Sequence, residues 1–316
     1  MHLNSVSLYL LTMSNSQHNL KLAQGDIKSL ARAITIVENE LQGYEDLLLN
    51  LTTAKYIPII GITGPPGAGK STLVNSLIGV LLKRLSANSK GIGIVSVDPS
   101  SPIHQGAILG DRLRMNEHFN DSRVFIRSLA TRGALGGLSA KTIEITEVMR
   151  SYGFEYILVE TVGVGQSEVE IAGLADVTLL VITPESGDDI QVMKSGVTEI
   201  ADIFVVNKAD RDGADEFAKN LNQTLPIKHS DTDVKADIIK TIASRNEGTE
   251  LLADKILHRL ENHSPLKKGL LWAEKAYQLI LKQKMKGIDK DKIKIEIEKE
   301  LKQDSAFNIY RFIQKF

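Results

Sequence analysis

The chain has 316 residues, of which 42% are hydrophobic and 24% charged, and its formal net charge is -1. This composition is typical of a soluble globular protein, and neither sign of charge dominates strongly enough to predict a nucleic-acid or membrane partner. Cysteine is absent, which excludes disulfides and thiolate metal sites and favours a reducing cytoplasm. We also expect no secretory signal in residues 1–17, which lack a basic segment and a small-residue cleavage site.

The N-terminal region has a helical pattern. Between residues 26 and 51, apolar side chains recur every three or four positions, with charged residues between them. This period places the apolar residues on one face of a helix. We predict an amphipathic helix or a helix pair that forms an N-terminal extension over residues 1–54.

From residue 55 onward, short apolar runs rich in Val and Ile alternate with helical segments. Continuously apolar strands that alternate with helices are typical of a parallel sheet covered by helices on both faces. We therefore predict an α/β domain over residues 55–263 with a mostly parallel sheet, which the phosphate-binding motif described below assigns to the P-loop class. The predicted strands are 57–63, 91–98, 123–129, 155–161, 177–184, 202–208 and 237–243, and the predicted helices are 70–86, 139–151, 213–222 and 247–262.

The strand pattern stops after residue 263. Residues 264–316 have the pattern of two or three helices and contain the single tryptophan, Trp272. The lysine-rich stretch 282–302 alternates in charge sign, which is typical of a solvated helical face rather than of a nucleic-acid-binding surface. We predict a separate C-terminal helical arm over residues 264–316.

Residues 64–71, GPPGAGKS, match the phosphate-binding pattern GxxxxGKS/T between a predicted strand and a predicted helix. Glycines allow the backbone to wrap around an anion, so that amide groups and the positive end of the following helix face phosphate. We expect Lys70 to reach the β and γ phosphates and the Ser71 hydroxyl to bind Mg²⁺. The predicted phosphate-binding residues are Gly64, Gly67, Ala68, Gly69, Lys70, Ser71 and Thr72.

Residues 207–210, NKAD, lie at the carboxyl end of a predicted strand, where ligands bind in open α/β sheets. The Asp210 carboxylate can accept hydrogen bonds from N1–H and the 2-amino group of guanine, and adenine supplies neither donor. Alone, this tetrapeptide is also a good helix N-terminus. Downstream of a phosphate loop it favours GTP over ATP. The predicted base contacts are Asn207, Lys208 and Asp210, with Ala243 and Ser244 as backbone contacts to the guanine carbonyl.

Two acidic residues end predicted strands beside the phosphate loop. Asp98 ends GIGIVSVD and Glu160 ends EYILVE, so both carboxylates would lie at the same edge of the sheet. Mg²⁺ prefers oxygen ligands and keeps several waters, so one or two carboxylates suffice. We predict that Asp98 and Glu160 bind Mg²⁺ together with Ser71. The alternative is that either carboxylate caps a helix.

The glutamine that orients the attacking water in small regulatory GTPases has no clear counterpart. Val164 follows Gly163, and Gln166 comes two residues later. We therefore expect slow intrinsic hydrolysis of GTP, with a partner or a second subunit completing the site.

Six motifs together resemble one family of proteins. They are TGPPGAGKST, SVDPSSP (96–102), GDRLRM (110–115), TRGALGGLS (131–139), ETVGVGQSE (160–168) and NKAD. The combination is similar to that of the G-protein chaperones of adenosylcobalamin-dependent methylmalonyl-CoA mutase, a family also labelled lysine-arginine-ornithine transport kinases. The resemblance implies a GTPase that works as a nucleotide-dependent homodimer through the C-terminal arm, and that gates cofactor loading and protection of an acyl-CoA mutase.

The resemblance also implies roles for individual residues. It makes Asp98, Asp111 and Glu160 the carboxylates around Mg²⁺, with segments 98–111 and 160–168 as the two nucleotide-dependent switches. A third segment, residues 187–194, would relay the nucleotide state to the mutase through Asp188 and Lys194. The implied catalytic set is Lys70, Asp98, Glu160 and Lys194.

Two other functions stay open at the level of sequence. A GTPase that inserts nickel into urease or hydrogenase shares the fold, although this chain has neither cysteine nor a histidine-rich tract. A kinase for a transport protein is what the older family label implies, but the sequence offers no evident acceptor-binding element.

Overall fold

The computed structural model describes residues 22, 24–98, 117–118, 120–130, 141–161, 167–184, 201–225, 236–262, 269–285, 287–303 and 307–315. The chain divides into two compact units, Met1–Lys268 and Gly269–Phe316. Within the described residues, no helix is long and apolar enough to cross a membrane.

The first unit contains a seven-stranded sheet with the order β3-β2-β4-β1-β5-β6-β7. Every ladder between neighbouring strands is parallel. Seven strands were predicted and the described residues contain seven, which confirms the predicted α/β fold class. The strands are β1 (Ile59–Thr63), β2 (Ile92–Asp98), β3 (Val124–Ala130), β4 (Tyr156–Glu160), β5 (Val177–Ile182), β6 (Ile203–Asn207) and β7 (Asp237–Thr241).

In the described residues, helices lie between β1 and β2, between β3 and β4, between β4 and β5, and between β6 and β7, as the crossovers of a parallel sheet require. One of them, over residues 167–174, was not predicted from the sequence. Within the described part of the first unit, the helices are α1 (Ile27–Glu38), α2 (Tyr44–Leu49), α3 (Lys70–Arg84), α4 (Thr142–Tyr152), α5 (Ser167–Leu174), α6 (Ala214–Thr224) and α7 (Thr249–Glu261).

The two faces of the sheet are covered by different helices, because successive side chains of a strand point to opposite faces. Ile60 and Ile62 of β1 belong to the core shared with α3 and α7. Gly61, between them, faces α5, and a Cβ atom there would lie 2.7 Å from Ile171 Cγ1. Phe204 of β6 packs with Leu221 of α6. The sheet is therefore buried on both sides, which explains its continuously apolar strands.

The N-terminal helices pack on α4 and are held by ion pairs to β3 and to the start of α4. Asp26 caps α1 by accepting a hydrogen bond from the Ser29 amide at 3.1 Å. The guanidinium of Arg127, on β3, contacts the Glu38 carboxylate. Lys141 Nζ, at the start of α4, lies 2.8 Å from Glu40 Oε1. These contacts join the helical extension to the sheet domain.

The second unit is entirely helical in its described residues. It contains α8 (Gly269–Lys284), α9 (Lys290–Gln303) and α10 (Ile309–Phe312), followed by a 3-10 turn at Ile313–Lys315. The Asn308 side chain caps α10 by accepting from the Tyr310 amide at 2.9 Å. Trp272, Ile280 and Leu281 of α8 are exposed, whereas the side chains of Leu270 and Leu271 lie outside the described residues. The boundaries 54/55 and 263/264 stay predictions.

Candidate nucleotide-binding site

The loop between β1 and α3 has a backbone path that only glycine follows without strain. Gly64, Gly67 and Gly69 all have positive φ angles, of 140°, 80° and 88°. A Cβ atom at Gly64 would lie 2.0 Å from Val181 O, and one at Gly69 would lie 2.4 Å from Asn207 Nδ2. Gly69 directly precedes the first residue of α3. The loop therefore wraps over the N-terminus of a helix, which is the geometry that binds phosphate.

Two lysines donate hydrogen bonds to carbonyl groups of this loop. Lys70 is buried, and its Nζ donates to Gly64 O at 2.8 Å and to Pro65 O at 3.2 Å. Lys208 Nζ donates to Gly67 O at 2.8 Å. The loop thus holds one ammonium group at its centre and another at its rim. The remaining predicted loop residues differ in burial, since Ala68 is buried and Thr72 is exposed.

Ser71 and Glu160 meet beside the phosphate loop. The Ser71 hydroxyl donates to Glu160 Oε1 at 2.7 Å, and both residues are buried. Their meeting follows from the sheet, because β4 pairs with β1 and Glu160 lies level with Ile62, one residue before β1 ends. One residue further on, Thr161 Oγ1 donates to Thr63 Oγ1 at 2.9 Å.

The oxygen atoms at this point fit a magnesium ion. A buried carboxylate and a hydroxyl converge at the start of α3, and Mg²⁺ binds oxygen ligands of this kind while retaining waters. Asp98 is the last residue of β2, but its side chain lies outside the described residues, as does all of Asp111. The full carboxylate set around Mg²⁺ stays a prediction.

Asn207 links the phosphate loop to the loop that follows β7. Its Nδ2 donates to Ala68 O at 2.9 Å, while its Oδ1 accepts from Thr241 Oγ1 at 3.1 Å and from the Ala243 amide at 3.2 Å. The side chain is buried, so these hydrogen bonds are shielded from water. Asn207 and Thr241 are register partners in the β6–β7 ladder, which brings the two strand ends together. A single side chain thus fixes both loops.

Asp210 lies at the surface of the same region. Lys208 has a positive φ of 56°, and the Ala209 amide donates to Thr241 O at 3.0 Å, which turns the chain after β6. The Asp210 carboxylate is 38% exposed and lies 3.7 Å from Arg245 Nη2. Ala243 is buried and Ser244 is exposed in a 3-10 turn, Ala243–Arg245.

Sequence reasoning did not single out Thr241 or Arg245. Thr241 could have been noticed, since it ends a strand two residues before the predicted base contact Ala243. The proximity of Arg245 to Asp210 depends on the fold of the 3-10 turn and has no signal in the motif. Of the other predicted residues, Lys194, Asp188 and Val164 lie outside the described residues, so their roles stay predictions.

The glycine loop, the Ser71–Glu160 pair and the NKAD loop all lie at the carboxyl edge of a parallel sheet, which defines the class of P-loop GTPases. The family model described as "Methylmalonyl Co-A mutase-associated GTPase MeaB" matches residues 30–293. The chain belongs to this family, which confirms the resemblance drawn from its motifs.

Individual relatives agree with the family. A Pyrococcus abyssi protein named as a GTPase is 45% identical, over 76% of this chain and 74% of that protein. The "Fused isobutyryl-CoA mutase" of Geobacillus kaustophilus is 35% identical, over 73% of this chain and 22% of that protein. A crystal structure of "LAO/AO transport system kinase" superposes with a TM-score of 0.64 at 22% identity, over 100% of this chain and 98% of that one. At this identity the structural likeness supports the fold alone.

Proposed function

We propose that this protein binds and hydrolyses GTP and uses the nucleotide state to control cofactor loading and protection of an adenosylcobalamin-dependent acyl-CoA mutase. The observation that carries the GTPase part is the Ser71–Glu160 pair, 2.7 Å apart beside a glycine loop. The observation that supports the mutase part is the fused relative, whose name is that of an acyl-CoA mutase and of which this chain matches 22%. When a GTPase-like segment and a mutase are fused in one chain, we expect the corresponding separate proteins to associate physically.

The phosphate loop is suited to the triphosphate. Lys70 donates to the carbonyls of Gly64 and Pro65, which are neutral, so phosphate oxygens would attract its ammonium group more strongly. If Lys70 exchanged these carbonyls for phosphate oxygens, its ammonium group would contact the β and γ phosphates while the loop backbone stayed in place. The N-terminus of α3 adds its partial positive charge on the same side.

Magnesium would be held by Ser71 and Glu160, with Asp98 and Asp111 as the further expected ligands. When bound, it supplies positive charge against the phosphate oxygens during transfer. The chain's own contribution is to keep the hydroxyl and the carboxylate in place: Ser71 is fixed by the first turn of α3 and Glu160 by the β1–β4 ladder.

Guanine selectivity would come from Asp210. Its carboxylate can accept from N1–H and the 2-amino group of guanine, and pairing with those donors would replace or adjust its contact with Arg245. Asn207 positions this site, because its side chain is hydrogen-bonded to both loops, at Ala68 O and at the Ala243 amide. A site that satisfies its own polar groups only with guanine discriminates strongly against adenine.

The C-terminal unit would mediate a homodimer. Its helices carry apolar side chains that are exposed within the chain, including Trp272, Ile280, Leu281 and Ile295. Side chains of this kind are often covered by a partner subunit. We propose a second copy of this chain as that partner, as the family resemblance implies.

The test of the GTPase part compares two lysine variants on α3. Lys70→Ala should weaken GTP binding strongly, because it removes the only ammonium group inside the described loop. Lys83→Ala, which removes an exposed lysine from the last turn of the same helix, should bind GTP as the wild type does. Binding and hydrolysis are measured by calorimetry and by phosphate release. Equal GTP affinity of the two variants would contradict the assignment of the site.

A further inference from the structure

An open surface cavity of about 420 Å³ lies at the end of the sheet opposite the nucleotide site. Its walls come from the linker before β1, the loop before β2, the end of α4 and the residue before β4. It is therefore placed where strands begin, whereas the phosphate loop follows the end of β1. The five residues of β1 separate the two sites by about 13 Å of strand. The lining residues include Thr52, Thr53, Lys55, Asn88, Lys90 and Arg150.

Most of the charged residues that line this cavity are cationic. It contains Lys55, Lys90 and Arg150 and a single carboxylate, Glu155, which gives the lining a formal charge of +2. Lys55 Nζ lies 2.6 Å from Glu155 Oε2, with both side chains partly exposed, so this pair can exchange partners at small cost. Arg150 forms part of the cavity wall and already has protein partners. Its Nε donates to Ile57 O at 3.2 Å, and its Nη1 donates to Glu147 Oε1 at 2.8 Å.

Lys90 is held in a defined position by the backbone around it. Its aliphatic stem passes beside Gly25 and Gly153, where added Cβ atoms would lie 3.3 Å and 3.6 Å from it. Its Nζ donates to Tyr152 O at 2.9 Å and lies 5.5 Å from the centre of the Tyr152 ring. Burial and the charge of Lys55 lower the pKa of Lys90. The two ammonium groups repel each other, and an anion between them would relieve that repulsion.

We propose that this cavity binds the phosphoryl group of a small phosphorylated molecule. Lys55 and Lys90 would supply the charge, and Thr52, Thr53 and Asn88 would supply hydroxyl and amide donors. Arg150 is already paired with Glu147, so the two ammonium groups would offset the charge of a phosphoryl dianion, with Lys55 exchanging Glu155 for it. Lys is well suited to bind phosphate as a point charge. The volume exceeds that of a bare phosphate and falls in the range of small-molecule sites. The proposal is independent of the nucleotide site.

The test is calorimetric titration of the full chain saturated with GDP, so that the phosphate loop is occupied. The probes are inorganic phosphate and glycerol 3-phosphate. We expect one saturable site for at least one probe, weakened about 10- to 100-fold in Lys55→Met and in Lys90→Met, because each removes a charged partner of the anion. Binding of both probes assigns the site to the phosphoryl group itself, and binding of the ester alone assigns it to an organic phosphate.

Two controls distinguish binding in this cavity from binding of the probes elsewhere on the protein. Lys219→Met removes an exposed lysine of α6 outside the cavity and should bind the probes as the wild type does. Lys70→Ala, titrated without GDP, should retain the site, since it alters only the phosphate loop. Lys55→Met removes an exposed side chain, so its folding is checked simply by circular dichroism. The proposal is overturned by the absence of saturable binding to GDP-saturated protein, by wild-type binding in Lys55→Met, or by loss of binding in Lys70→Ala.

Discussion

Replacement of Asn207 by alanine tests how the two base-side loops are held. The side chain makes three buried hydrogen bonds, to Ala68 O, Thr241 Oγ1 and the Ala243 amide. Each contributes about 1 kcal/mol net, and truncation also leaves buried partners unsatisfied. We expect Asn207→Ala to lower the free energy of unfolding by about 3 kcal/mol, which corresponds to a fall in Tm of about 6–12 °C for a domain of this size.

The same substitution should reduce nucleotide affinity. If between half and all of the lost free energy comes from holding Ala68 and Ala243 in the nucleotide-binding arrangement, the affinity for GDP falls about 10- to 100-fold. The assay is titration with a fluorescent GDP analogue at a temperature well below the Tm of the variant, with Tm measured separately by calorimetry.

A matched control isolates the effect on binding from the effect on stability. Ser76 Oγ lies 2.8 Å from Thr249 Oγ1, and this buried hydrogen bond joins α3 to the first residue of α7 without involving Asn207, Ala68 or Ala243. Ser76→Ala should therefore lower Tm while leaving GDP affinity unchanged. If Asn207→Ala behaves in the same way, with affinity within threefold of the wild type, Asn207 only stabilises the fold and the reasoning is refuted.

Three further changes test other parts of the account. Asp210→Asn should weaken GTP binding and shift preference to xanthosine triphosphate, since the amide can donate to the 2-keto group; competition binding measures this. Glu160→Gln should leave GDP affinity within a few fold while hydrolysis falls by roughly 10², because the carboxylate is expected to act through Mg²⁺ on the γ-phosphate. Deletion of residues 264–316 should convert a dimer into a monomer that still binds nucleotide, as measured by light scattering.

Each of these has a contrary outcome. Unchanged GTP affinity in Asp210→Asn would remove the basis for guanine selectivity. Wild-type hydrolysis by Glu160→Gln would make the contact with Ser71 purely structural, and a loss of folding seen by circular dichroism would do the same. A full-length protein that is already monomeric would refute the role of the C-terminal arm in dimerisation.

The strands and most helices could be predicted from the sequence because their signals are local. The central strands β1, β5 and β6 are short runs of buried residues, and each edge strand keeps a short apolar segment, so no strand was hidden by polar alternation. The strand order could not be predicted, since it depends on pairings such as Ile59 with Ile157, far apart in the chain. Helix α5 was missed because its sequence, SEVEIAGL, overlaps the end of the ETVGVGQSE motif and is only eight residues long.

The site was predictable where a motif fixes the chemistry and not where the fold brings residues together. The glycine loop and NKAD are contiguous, so their residues could be named in advance. The sequence predicted only that Ser71 and Glu160 would lie near each other at the end of the sheet. It did not predict their hydrogen bond, because the two residues are 89 positions apart in the chain. The links from Asn207 to Ala68 and Ala243 join three separate loops. Arg127 and Glu38, which attach the N-terminal helix, are likewise distant in sequence.

The most direct test of the account is a GTPase titration with a purified adenosylcobalamin-dependent acyl-CoA mutase from the same organism. We expect slow hydrolysis by the isolated protein, since Val164 follows the switch glycine, and acceleration by the mutase; completing such a site contributes about 10³- to 10⁵-fold in related systems. Lys194→Ala should retain nucleotide affinity and basal hydrolysis but lose most of the acceleration. The account is contradicted if the wild-type protein shows no change in rate with the mutase and does not bind it in any nucleotide state.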